Sequence, residues 1–132
     1  MREIRFRIWH INDREAYEVV SINFELGIWY HDHIHGESQW ASFDECVIEQ
    51  FTGLQDKNSN DIYEGDIVDN GNTVVYSDRS TKRFANVGTV KHDVKNGCIV
   101  INNSNGYTNR LTEKTIKENK ISVIGNIHEV TE

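Results

Sequence analysis

The 132-residue, 15.3 kDa chain is 37% hydrophobic and 27% charged, with a net charge of −7 and a pI near 5.3. That size and balance suit one soluble globular domain, able to bury roughly two-thirds of its unfolded surface without staples. The acidic total works against non-specific nucleic-acid binding, which depends on Lys and Arg neutralising phosphates, and no apolar run reaches membrane-spanning length.

Proline is absent, so glycine and asparagine make the turns. Arg2 to Ile8 alternates strictly, with Ile4, Phe6 and Ile8 on one face, and predicts a half-buried strand. Glu18 to Phe24 repeats the pattern with Val20, Ile22 and Phe24 facing in. Glu25-Leu26-Gly27 then turns the chain into Ile28-Trp29-Tyr30, so residues 17–31 read as a hairpin. Ser42 is placed to cap a single helical turn, with Glu45 three residues later completing a capping box. Val47 to Phe51 reads as a short strand.

Gly88 to Asn102 is the strongest local signal: two apolar strands joined by Asn96-Gly97, the pair that accepts the positive φ of a type I′ turn. Thr112 to Asn119, with Lys114 and Glu118 at helical spacing, predicts a short helix. Ile121 to Ile127 closes the chain as a strand. No internal repeat, low-complexity tract or long linker interrupts this series.

Three blocks carry a family resemblance. Met1-Arg-Glu-Ile-Arg-Phe-Arg-Ile-Trp9 is similar to an opening "MREIKFRAW". Gln50-Phe-Thr-Gly-Leu-Gln-Asp-Lys-Asn58 with Asp61-Ile-Tyr-Glu-Gly-Asp-Ile-Val68 is similar to "QFTGLKDKNGKEIYEGDIV". Val123-Ile-Gly-Asn-Ile-His-Glu129 is similar to "VIGNIYEN". Their order resembles the YopX family, small proteins typical of bacteriophages and prophages of Gram-positive bacteria. His10 departs from a common Asp, Ser59 from a Gly, and Val130-Thr131 from Asn-Pro. The resemblance implies a mainly β fold and brings no established reaction or catalytic residues.

Together with the short strands, it predicts a mainly β, antiparallel, partly open barrel or sandwich with one or two short helical turns. One domain over 1–132 is expected, with the first and last strands near one another in the sheet. The charged, alternating N-terminus lacks the apolar core of a signal peptide, and Cys46 and Cys98 form no CxxC pair. Two idle thiols in the reducing cytoplasm of a bacterial host are expected.

His31, His33 and His35 would share one face of an extended strand, with roughly 6 to 7 Å between successive Cα atoms. Imidazoles so spaced can converge on Zn²⁺ or Ni²⁺, with Glu37 adding an oxygen. A solvated loop after the hairpin explains the same residues more simply. Glu64-Gly65-Asp66 invites a carboxylate-pair reading, but Tyr-x-Gly-Asp before Ile-Val is better explained as a turn entering a strand. Thr52-Gly53 and Gly125-Asn126 read as turns too. Neither cysteine has a basic neighbour, and no Gly-x-Ser-x-Gly occurs.

No catalytic, cofactor or metal residue is therefore assigned, and no cofactor is expected. The leading expectation is a non-enzymatic phage or prophage accessory protein that binds another protein, of host or phage, with self-association through open β-edges. One alternative is a nucleic-acid-binding small barrel using Arg79, Lys82, Arg83, Lys91 and Lys95, or Arg110, Lys114, Lys117 and Lys120. Acidic neighbours interleave with both stretches. The other is a metal-dependent hydrolase built on His31, His33 and His35. No membrane role is expected.

Overall fold

The computed structural model describes residues 4–33, 35–84, 86–103 and 106–129, giving the backbone alone at 72–75 and 81–84. The chain gathers into two compact units, the first ending at Phe51 and the second beginning at Thr52. The structure is mainly β, with antiparallel sheets that do not close into a barrel.

In the first unit, β1 (Phe6–His10), β2 (Glu15–Asn23), β3 (Gly27–Asp32), β4 (Glu37–Ala41) and the start of β5 (Cys46–Gln55) pair in the order β4-β3-β2-β1-β5. Ile8 lies opposite Tyr17 on β2 and Ile48 on β5. Directly paired residues share a face. Ile8, Tyr17, Ile28, Tyr30, Ala41 and Cys46 accordingly form one buried cluster.

The first strand begins later than its alternation suggests. Arg2 and Glu3 lie outside the described residues, and Ile4 is exposed. The inward set of β2 also differs from the expected Val20, Ile22 and Phe24. A bulge between Val19 and Ser21 shifts the phase of the ladder, because one extra residue reverses which side chains face in. Val19 and Ile22 pack on the core, Val20 is exposed, and Phe24 sits outside in the turn.

The polar stretch after Tyr30 is a further hairpin rather than a loop alone. The strand persists to Asp32, reverses with Gly36 at φ +75°, and returns as β4. Ser42 then caps a 3₁₀ turn, Phe43–Glu45, as expected: its N–H donates to Glu45 Oε1 at 3.0 Å.

Thr52-Gly53 does not end β5. The Thr52 hydroxyl donates to the Ile62 carbonyl at 2.7 Å and accepts from the Leu54 N–H at 3.2 Å, holding Gly53 at φ +88° within the strand.

From Thr52 onward β6 (Asp61–Tyr63) lies beside the end of β5. Then follow β7 (Asp66–Asp69), β8 (Asn72–Val75), β9 (Thr81–Phe84), β10 (Val87–Asp93), β11 (Cys98–Asn103), β12 (Thr108–Arg110), α1 (Glu113–Asn119) and β13 (Ser122–Asn126). A five-stranded sheet runs β12-β11-β10-β7-β13, and β8 pairs with β9 separately. Its core is Ile62, Val68, Val90, Ile101, Leu111, Ile116 and Ile121. Thr112 caps α1, its hydroxyl accepting from the Thr115 N–H, and Lys120 closes it at φ 52°.

Two expectations are corrected here. β1 and β13 lie in different sheets: β2 and β5 occupy both sides of β1, whereas β13 takes the open side of β7. The β10–β11 hairpin does not use a two-residue type I′ turn. Asp93 pairs with Cys98, leaving a four-residue loop in which Gly97 alone has positive φ, at +66°. The Asp93 carboxylate accepts from the Lys95 and Asn96 N–H groups, and the Gly97 N–H donates to the Asp93 carbonyl at 2.8 Å. That local network favours the longer loop.

Candidate interaction surface

One end of the first unit's core is polar and aromatic. The Tyr17 and Tyr30 rings lie 4.7 Å apart, His10 is 5.8 Å from Tyr30, and His33 is 5.3 Å from Tyr17. The Tyr17 hydroxyl donates to Asp13 Oδ2 at 3.1 Å, and the Asp13 N–H donates to His10 Nδ1. Burial, then the Asp13 carboxylate, pushes the Tyr17 phenol up to about 12. Burial, then Asp13 and Asp32, raises Tyr30 in the same way. Both phenols stay protonated at neutral pH, so neither supplies a phenolate base or nucleophile.

The three histidines separate on the β3–β4 hairpin. His31 is exposed on β3, whereas His33 and His35 lie in the turn. His35 Nδ1 is 2.8 Å from Asp32 Oδ2, and its N–H donates to Asp32 Oδ1. The extended strand needed to align the three imidazoles is therefore replaced by a reversal. No group of three or more His, Cys, Asp or Glu is placed to hold a metal among the described residues.

Glu64-Gly65-Asp66 is a turn. Gly65 has φ +90°, and Asp66 Oδ2 accepts from the Tyr63 N–H at 2.8 Å. Cys46 is buried, its thiol raised first by burial and then by Glu45, which opposes thiolate chemistry. Cys98 is half-buried, and both thiols are free. Of the basic residues, Lys91, Lys95, Arg110, Lys114, Lys117 and Lys120 are exposed, and Lys114 reaches Glu118 at 3.9 Å. The side chains of Lys82 and Arg83 lie outside the described residues.

The opposite face of the first unit's sheet carries all three tryptophans. Trp29 pairs directly with Trp40, and Trp9 pairs with Ala16 and Val47, each out of phase with the core residues. The Trp29 and Trp40 rings meet at 5.4 Å and 61°, and remain 44% and 39% exposed. Val20, lifted out by the bulge, extends the apolar area. Gly27 makes room for Trp40: a Cβ there would stand 2.8 Å from the indole and 2.4 Å from the Ala41 carbonyl. The same face bears the Arg7–Glu49 ion pair, 2.9 Å and well buried.

Charge concentrates in this unit. Residues 1–51 hold four arginines, no lysine and ten carboxylates, which is six of the seven net negative charges. The remaining residues are nearly balanced. The first unit thus combines exposed aromatic area with most of the chain's net negative charge.

Two buried polar features of the second unit have no simple sequence signal. Asp56 Oδ1 accepts from the Asn58 and Asn60 N–H groups, while Oδ2 accepts from the Val123 N–H at 2.8 Å. Burial opposes its charge, yet these donors outweigh it and hold the carboxyl below its usual range. The Asp-x-Asn-x-Asn run hints at the local half of this clamp; the Val123 half requires the fold. Asn119, Asn70, Asn103 and Asn109 form a side-chain amide chain at 2.8 to 3.0 Å. Both features tie backbone segments together.

No helix among the described residues is long and apolar enough to cross a membrane. The sequence profile of the YopX protein family matches residues 5–132. Comparison with curated proteins finds no match. Among solved structures, the chain is similar to protein EF1440 from Enterococcus faecalis, with 21% identity and a TM-score of 0.58. The likeness covers 98% of this chain and 96% of that one, and speaks to the fold alone.

Proposed function

Since the chain belongs to the YopX protein family, we propose that it is a non-enzymatic phage or prophage accessory protein that binds a basic partner protein in the bacterial cytoplasm. The contact surface is the Trp29–Trp40 face of the first unit. One observation carries this reading: a directly paired, exposed tryptophan couple sits within residues 1–51, which hold six of the chain's seven net negative charges. Indole rings supply large rigid contact area at low entropic cost and are enriched at interface hot spots. The acidic field steers basic surfaces toward them and repels nucleic acid. The protonated phenols and the turn at Glu64–Asp66 leave these groups as architecture.

The test begins with photo-crosslinking from position 29 in the host, followed by purification of the captured protein. Trp29→Ala with Trp40→Ala should weaken saturable binding of that purified protein by about a hundredfold, as loss of two hot-spot side chains implies. Equal affinity for the double variant and the parent, with both folded by circular dichroism, would sink the proposal.

A further inference from the structure

The edge strands of this molecule are unequal. β6 and β12 have three residues each, β8 and β9 four, and β13 has five interrupted by a bulge between Val123 and Gly125. Short length and bulges are the usual protections against edge-to-edge pairing. β4 also has five residues, yet its ladder to β3 is regular from Ile28–Ala41 to Asp32–Glu37. It contains no proline and no lysine, and Glu37 at its start is its one charge. Its second side faces no strand among the described residues.

We propose that two copies of the chain associate through β4, antiparallel about a two-fold axis at Gln39, so that their first-unit sheets continue across the seam. The strand is complementary to itself in this register. Glu37 lies opposite Ala41 of the second copy, Ser38 opposite Trp40, and Gln39 opposite Gln39. No carboxylate meets its own copy within the strand, and two facing amides can each donate and accept. Matching of the sheet faces requires shifts of two residues, and either such shift leaves three paired residues instead of five. On the outer face the Trp29–Trp40 couple of each copy flanks the seam, forming a stripe of four indoles.

This interface is an isologous one. It uses the edge of β4 and not the basic-partner reading, so either can fail alone. Salt separates them: copies of net charge −7 repel, and dimerisation tightens as salt screens that repulsion, whereas binding to a basic partner weakens.

Native mass spectrometry and light scattering of the full chain should show twice the 15.3 kDa chain mass. Gln39→Glu and Gln39→Lys each place like charges opposite one another and should raise the dimer Kd by about a hundredfold. Mixing the two, one isotopically labelled, should restore a dimer as the mixed species. A parent protein that stays at the chain mass at every concentration overturns the proposal. So does a Gln39→Glu dimer as tight as the parent's, or a mixture that fails to pair while both variants remain folded by circular dichroism.

Discussion

At the residue scale, Gly27 shows how one missing Cβ shapes a surface. Its φ of +144° and the approach of Trp40 both oppose any side chain. Gly27→Ala should destabilise the first unit by about 1–3 kcal/mol, as overpacking does, and should alter the tryptophan emission of the Trp29–Trp40 couple. An unchanged melting temperature and spectrum would count against this packing. Asp56 plays the comparable part in the second unit. Asp56→Asn keeps one oxygen but turns the other into an amide donor, so either the part-buried Val123 N–H or the Asn58 and Asn60 N–H groups lose their acceptor; the expected cost is about 1–3 kcal/mol. The pH dependence follows from the lowered carboxyl. Its contribution is complete above the unfolded value of 3.8 and is lost as pH falls through the lower folded value. Acid titration of the Asn substitution should lack that component.

At the element scale, two hairpin turns depend on aspartates placed just before them. In the β10–β11 loop, Gly97 occupies the left-handed region and Asn96 does not. Gly97→Ala should therefore cost about 1 kcal/mol, whereas Asn96→Ala loses only an exposed amide contact to Asp93. Equal penalties from thermal melts would restore the two-residue turn. In the β3–β4 turn, the hydrogen bond to Asp32 holds the His35 imidazolium above its ordinary value of 6.5. A raised histidine supports the fold below its unfolded value and ceases to do so as pH rises through its folded value. An NMR titration of Asp32→Asn should return His35 toward 6.5; an unmoved midpoint would remove Asp32 as the cause. These turns explain why local rules succeeded in part. Asn-Gly correctly marked a reversal at 96–97, but the Asp93 network chose its length.

At the scale of the whole molecule, charge and aromatic surface coincide in the first unit. Partner binding there should weaken as ionic strength rises, since exposed charges beyond a Debye length are screened. Affinity that holds steady across a salt series would leave the acidic field without a role. Much of this molecule was legible in the chain because it depends on neighbours in sequence. The hairpin at 17–31, the Ser42–Glu45 cap, the helix after Thr112 and the Gly65 turn all rest on bonds spanning a few residues. The family blocks likewise announced a β fold. What the chain could not announce were choices settled between distant strands. The bulge at Val20 depends on pairing with β3, the extension of β4 on its ladder with β3, and the separation of β1 from β13 on which ladder sides were already filled. The tryptophan face belongs to this second group. Sequence alone put Trp29 on a predicted strand, but only the tertiary pairing placed Trp9 and Trp40 on strands too and decided that all three share one face, because a one-residue slip moves every side chain across the sheet.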